Sequence, residues 1–215
     1  MSNSCAAAGE GLLFVVSAPS GAGKTSLCKQ IVDFFPALGH SVSFTTRAKR
    51  DGEQDGLDYH FVSAQQFASM VKNNEFVEWA EVHDNCYGTA RKTIDAARAS
   101  GHDLLLEIDW QGAAQLKENG VEGVYVFILP PGFEELRKRL EGRGTDAPEV
   151  IERRLQNARR ELAEAFRYDY LVVNDNFDQA LSEFKAIVTA EHCRSTRQLN
   201  SFYQLFPALE AEDKL

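Results

Sequence analysis

No apolar run in this chain approaches the ~20 residues that a membrane-crossing helix needs, so no membrane partner is expected. Cysteine is scarce. Cys5, Cys28, Cys86 and Cys193 stand far apart, with no metal-ligand spacing and no paired framework. Free thiols in a reducing cytoplasm are the expectation. Basic excess is also missing, because 23 Lys and Arg face 32 Asp and Glu, a net charge of -9. That balance excludes the broad positive field of a general nucleic-acid binder. It leaves room for a polyanionic small ligand held by a local arginine cluster. Internal repeats and low-complexity tracts are absent too. Residues Met1 to Gly9 lack the basic cluster and apolar segment of a signal peptide and are expected to be disordered.

The 215 residues, 44% of them apolar, suffice for one substantial core with inserted subdomains. Leu12-Leu13-Phe14-Val15-Val16 reads as a strand covered on both faces. A small, turn-forming stretch follows, and then Leu27, Ile31, Phe34 and Phe35 recur at helical spacing. Further buried strands are expected at Leu104 to Asp109, Val124 to Leu129 and Tyr170 to Val173. Helices are expected after Pro130-Pro131, carrying Phe133, Leu136 and Leu140, and from Phe177 to Val188. Strands alternating with helices imply a three-layer α/β core with a parallel sheet. Residues 41–93 change character, with short strands around Phe44, Tyr59 to Val62 and Phe76 to Trp79 and a helix at Gln66 to Val71. They read as an inserted mixed α+β subdomain. The core then comprises 10–40, 94–141 and 166–215, and 142–165, rich in arginine and glutamate, forms a helical lid.

The strongest chemical signal is Ala18-Pro19-Ser20-Gly21-Ala22-Gly23-Lys24-Thr25, followed by Ser26. It fits the phosphate-binding loop pattern except that Ala18 replaces the first glycine. Backbone N–H groups must approach phosphate oxygens closely, which requires glycine. The helix starting near Lys24 aims its positive end at the anion. Lys24 neutralises the β- and γ-phosphates, and the Thr25 hydroxyl can ligand Mg²⁺. This gives nucleotide triphosphate binding without naming an acceptor.

A second anion site is suggested by Arg47 and Arg50, three residues apart beside Thr45 and Thr46, with Tyr59 soon after. A solvated basic loop is the competing reading. Here the chain resembles the guanylate kinase family. The pattern Thr45-Thr46-Arg47, Arg50, Glu53, Gly56, Tyr59 and Phe61 is similar to the family's signature. The likeness continues in order through Asn73 to Ala80, Tyr87-Gly88-Thr89, Ile108 to Gly112, Arg139 to Thr145 and Val173-Asn174-Asp175, covering about residues 12 to 190.

That resemblance implies the P-loop NTPase fold, with a monophosphate-binding subdomain and a lid, and transfer of a phosphoryl group from ATP to GMP. It implies that Arg47, Arg50, Glu53, Tyr59 and Tyr87 serve the GMP phosphate and that Ser43, Glu78 and Thr89 read the guanine. The chemistry agrees, since a carboxylate at Glu78 can accept from both N1–H and the 2-amino group. Adenine would leave it unpaired. Glu107 and Asp109 are expected two residues apart on one face at a strand end, between guanine and metal, with Asp109 acting on Mg²⁺ through water or reaching the base. Arg139, Arg143 and Arg154 correspond to the family's catalytic arginines, with a break at Gly142 and Gly144 as a hinge into the lid. Asn174 would contact the adenine. No histidine is assigned a catalytic part.

Two other readings compete. A scaffold module related to the family would lose the phosphate loop, which is intact here. A different P-loop kinase would not need Ser43, Glu78 and Thr89. The stretch Arg194 to Leu215 could pack on its own core or on a second subunit, which leaves a homo-oligomer open.

Overall fold

The structure, a computed structural model, describes residues 11–82, 84–142 and 147–206. The expected disorder of residues 1–9 and the end of the C-terminal stretch lie outside them. The chain runs β1 (Leu13–Ser17), α1 (Lys24–Phe34), β2 (Leu38–His40), β3 (Phe44–Thr45), β4 (His60–Phe61), α2 (Ala64–Lys72), β5 (Phe76–Val82) and β6 (Asn85–Ala90). It continues through α3 (Arg91–Ser100), β7 (Asp103–Glu107), α4 (Trp110–Glu118), β8 (Val124–Leu129), α5 (Phe133–Glu141) and α6 (Pro148–Ala163). After a short 3₁₀ turn at Ala165–Arg167 come β9 (Tyr170–Val173), α7 (Phe177–His192) and α8 (Ser195–Leu205).

Five parallel strands form the larger sheet in the order β2-β7-β1-β8-β9. β1 is central and entirely buried, as its continuous apolar run requires. One face packs on α1 and α7 through Phe14, Val16, Leu27, Ile31, Phe184 and Val188. The other packs on α3 and α4 through Val15, Leu106, Ile94 and Leu116. This is the expected three-layer α/β core. β9 lies at the sheet edge, where Leu171 and Val173 are half exposed.

Residues between β2 and α3 build a second, four-stranded sheet in the order β4-β3-β6-β5, mixed in direction. Its covering helix α2 starts with a capping box, Ser63 accepting from the Gln66 N–H and Gln66 accepting from the Ser63 N–H. Phe67 of that helix stacks on Phe76 of β5. α5 and α6 share a separate small cluster of Leu136, Leu140, Ile151, Leu155 and Ala158.

Two sequence expectations need correction. The strand expected to run to Asp109 ends at Glu107. Asp109 is instead the N-cap of α4, its Oδ1 accepting from the Gly112 N–H at 2.9 Å. The two carboxylates therefore do not share a strand face. Phe34, Phe133 and Phe177, expected on buried helix faces, are substantially exposed. They sit at helix ends, where the apolar stripe runs past the packing partner. β2, α3 and α4 are further elements that the sequence pattern does not reveal. β2 is three residues with one buried side chain, and α3 buries only Ile94.

Among the described residues, no helix is long and apolar enough to cross a membrane. The packing predicts that Phe184→Ala, at the fully buried α1–α7 contact, costs about 3–5 kcal/mol of stability in urea titration.

Candidate active site

Every strand of the larger sheet points its carboxyl end the same way, so the loops after β1, β2, β7, β8 and β9 gather at one edge. The loop after β1 turns sharply through Gly21 and Gly23, with φ of 96° and 89°. Such angles strain any residue with a Cβ. Ala18 has no positive φ, so its departure from the pattern carries no such strain. α1 begins at Lys24 behind Gly23, which has no side chain to cap it, and its first N–H groups face the loop.

Three supports hold this loop. Gly21 lies against Leu136 and Leu140 of α5, where a Cβ would stand 3.0 and 3.1 Å from their methyl groups. The buried Asn174 donates from Nδ2 to the Ala22 carbonyl at 2.7 Å. Its amide leaves no room for a Cβ on Gly23. Asn174, expected against the adenine, thus has its amide N–H engaged beneath the loop. The third support is Glu161 of α6, whose half-buried carboxylate approaches the Ser20 N–H and Lys24. Burial pushes Glu161 up to about 7, with Asp109 adding to the shift. Nothing in the sequence separates Glu161 from the other glutamates around it.

Lys24 donates from Nζ to the Ile108 carbonyl at 2.8 Å. Thr25 donates its hydroxyl to Glu107 at 2.5 Å. Burial works against the Glu107 charge, yet His40, Lys24 and Thr25 together hold its carboxyl below the ordinary range. His40 Nε2 lies 3.7 Å from Glu107, a placement invisible without β2.

Lys24, Ser43, Tyr59, Glu78, Tyr87, Glu107 and Asp109 line one cleft of about 150 Å³ between the two sheets. A neighbouring hollow of about 440 Å³ adds Thr25, Arg50 and Glu53 and shares Tyr59 and Glu107. Of the expected guanine and phosphate sets, Ser43, Glu78, Arg50, Glu53, Tyr59 and Tyr87 therefore meet Lys24 and Thr25 of the phosphate loop across these two hollows. Another cleft, lined by Arg98, Glu122, Asp169, Arg194 and Arg197, lies at the opposite end of the sheet and mixes both signs of charge.

Glu53 works through its neighbours. It takes Arg47 in a two-pronged ion pair, at 2.6 and 3.1 Å, and accepts the Arg50 N–H at 2.8 Å. This bond raises the Arg47 pKa and lowers that of Glu53. The Arg47 guanidinium lies 5.3 Å from the Tyr59 ring centre, and the Tyr59 and Tyr87 rings are 5.9 Å apart. A bidentate pair plus a ring face orients Arg47 before any anion arrives.

Glu78 stands opposite Thr89 on paired strands β5 and β6. Both are buried, at 4% and 0% exposure. Burial pushes Glu78 up to about 7; the adjoining Thr89 hydroxyl opposes this and Asp109 adds to it. The Thr89 hydroxyl has no well-directed hydrogen-bond partner, so it remains able to donate to a ligand.

Arg139, on the face of α5 next to Leu136 and Leu140, is paired with Glu135 at 3.2 Å. Arg154 is half-buried within α6. Arg143 lies outside the described residues. Among the described residues, no three His, Cys, Asp or Glu side chains gather as a metal cage. The donors near the loop, the Thr25 hydroxyl with Glu107 and Asp109 lining the cleft, suit a hard cation completed by water and phosphate oxygens.

The family model described as guanylate kinase matches residues 11–191. The chain is 60% identical to the guanylate kinase of Syntrophotalea carbinolica over 196 residues, 91% of this chain and 93% of that one. It is 55% identical to that of Geobacter metallireducens, over 92% and 97% of the two chains. Among solved structures it matches guanylate kinase from Anaplasma phagocytophilum with a TM-score of 0.72 and 34% identity, over 87% of this chain and 89% of that one.

The Glu78 shift gives a signed expectation. Its folded pKa near 7 exceeds the ordinary 4.5, so the folded chain holds the proton more tightly. Stability then falls as pH rises from 4.5 to 7, by on the order of 3 kcal/mol. Glu78→Gln should raise the melting temperature at pH 8, by about 1–3 kcal/mol in stability, and lose that advantage near pH 5 in thermal scans.

Proposed function

The chain belongs to the guanylate kinase family and is an ATP:GMP phosphotransferase, and we propose that it works through the cleft between its two sheets, with residues 41–93 binding GMP and 142–165 closing as a lid. ATP enters with its phosphates on Ser20 to Thr25. Lys24 lies between the loop and the acceptor side, and its bond to Ile108 fixes the β7–α4 junction.

Glu78 carries this reading. A carboxylate this deeply buried, beside the equally buried Thr89 hydroxyl, is costly unless a ligand supplies adjacent donors. Guanine does so with N1–H and the 2-amino group, while Thr89 and Ser43 can donate to O6. Arg47, Arg50, Tyr59 and Tyr87 hold the GMP phosphate, and Glu53 keeps Arg47 in place. The acceptor oxygen is already anionic, so no strong general base is needed. The task is to align two polyanions and exclude water, the competing acceptor. Arg139, Arg154 and Arg143 supply positive charge as the lid closes.

Thr25 would hold Mg²⁺, with Asp109 acting through water, and the ion when bound would supply charge neutralisation on the β- and γ-phosphates. The free thiols Cys28, Cys86 and Cys193 support a cytoplasmic setting.

The test is ADP formation from Mg-ATP with GMP, AMP, UMP and CMP in turn. We expect strong turnover with GMP alone, and a GMP KM that rises as pH falls below about 7, because guanine selects the ionised Glu78. In Glu78→Gln the pH slope due to Glu78 disappears and GMP preference drops by roughly a hundredfold. Equal rates on several monophosphates would overturn the guanine assignment and leave the phosphate loop standing.

A further inference from the structure

β5 is an edge strand of the smaller sheet, and its outer N–H and C=O groups would lie open. Helix α4, which belongs to the larger domain, covers that edge. Gln115 donates from Nε2 to the Trp79 carbonyl at 2.7 Å and accepts the Trp79 N–H on Oε1 at 3.2 Å. One side-chain amide thus meets both backbone groups of a strand residue, as a neighbouring strand would. Asn119, the C-cap of α4, donates to the Val77 carbonyl at 3.3 Å.

Between these two contacts lies Glu78. Its Oε2 would stand 2.4 Å from a Cβ on Gly112, and its Cδ 3.0 Å. Only a glycine admits the carboxylate to that depth. Positions 112, 115 and 119 fall on one face of the helix, so Val77, Glu78 and Trp79 are gripped in succession by one element. That element starts at Asp109, which lines the cleft and caps the Gly112 N–H, next to the Ile108 carbonyl that holds Lys24.

We infer that Gln115 and Gly112 are positioning residues for guanine selection, setting the depth and direction of the Glu78 carboxylate through the α4–β5 seam. The inference rests on Glu78 as the guanine reader. Gln115 fixes the backbone at the next residue, and Gly112 fixes the side chain. Neither touches the nucleotide. Loss of the Gln115 amide lets β5 drift from α4 and misaligns two charge-assisted bonds to the base.

The experiment is a double-mutant cycle read by calorimetric binding of GMP and AMP and by steady-state kinetics. Gln115→Met keeps the side chain's length and removes both amide contacts. We expect GMP affinity to fall about tenfold while AMP affinity and the ATP KM stay within twofold, so that preference for guanine is lost through GMP KM and not kcat. In a Glu78→Gln background the same substitution should have no further effect on preference. Gly112→Ala should reproduce the loss independently, and it carries the test if Gln115→Met does not fold. Gln115→Glu, which accepts from Trp79 N–H but sets a carboxylate against its carbonyl, should be as impaired as Gln115→Met.

If both seam variants fold and keep full guanine preference, or if their effects add to that of Glu78→Gln, the seam is a structural contact and the inference fails. If Glu78→Gln itself leaves preference intact, the fault lies with the guanine reader.

Discussion

The parallel order of five strands around β1 is the constraint on which the site depends. Parallel neighbours need crossover connections, and each crossover leaves its turn at the same sheet edge. The phosphate loop leaves the central strand. Its flanking strand β7 delivers Glu107 and the start of α4, and β8 leads to α5, whose Leu136 and Leu140 brace Gly21. β9 delivers Asn174 from the far edge. A single antiparallel reversal in this sheet would send one of these groups to the opposite end, where the cleft of mixed charge lies.

Charge is managed locally in a chain that is acidic overall. Lys24 is flanked by the Ile108 carbonyl, and the Glu107 and Glu161 carboxylates sense its charge. Arg47 is oriented by Glu53 and ring faces. These acidic partners hold the cations in position for an incoming polyanion. Glu78 is the reverse case. Its burial has no compensating cation, so its charge destabilises the empty fold, and under the proposed function a base with two adjacent donors offsets that cost. On that proposal, selectivity and stability oppose each other at one side chain.

Much of this was legible in the sequence, for identifiable reasons. The phosphate loop can be read because its function needs glycine at fixed positions along a continuous backbone. β1, β8 and β9 can be read because strands buried on both faces are unbroken apolar runs. Asp109 is not legible as a cap because Ile108 prolongs the apolar pattern of β7 past its last strand residue, Glu107. The aspartate followed three residues later by Gly112 is a capping arrangement that only the backbone direction distinguishes. β2 escaped because three residues with one buried side chain carry no period. The bond from Asn174 to the Ala22 carbonyl is not legible in the sequence, since the partner of a side-chain amide depends on residues far away in sequence. The same holds for Glu161, which looks like one more charge on a solvated helix until α6 is folded over Ser20.

The bond from Asn174 to the Ala22 carbonyl joins residues 152 positions apart. The phosphate loop therefore leaves the ribosome well before the amide that completes it. Chains emerge at roughly 5–20 residues per second, so the loop waits on the order of ten seconds for the amide that underpins it. Through that interval a nascent chain displays the phosphate-loop sequence without the amide that closes on the Ala22 carbonyl.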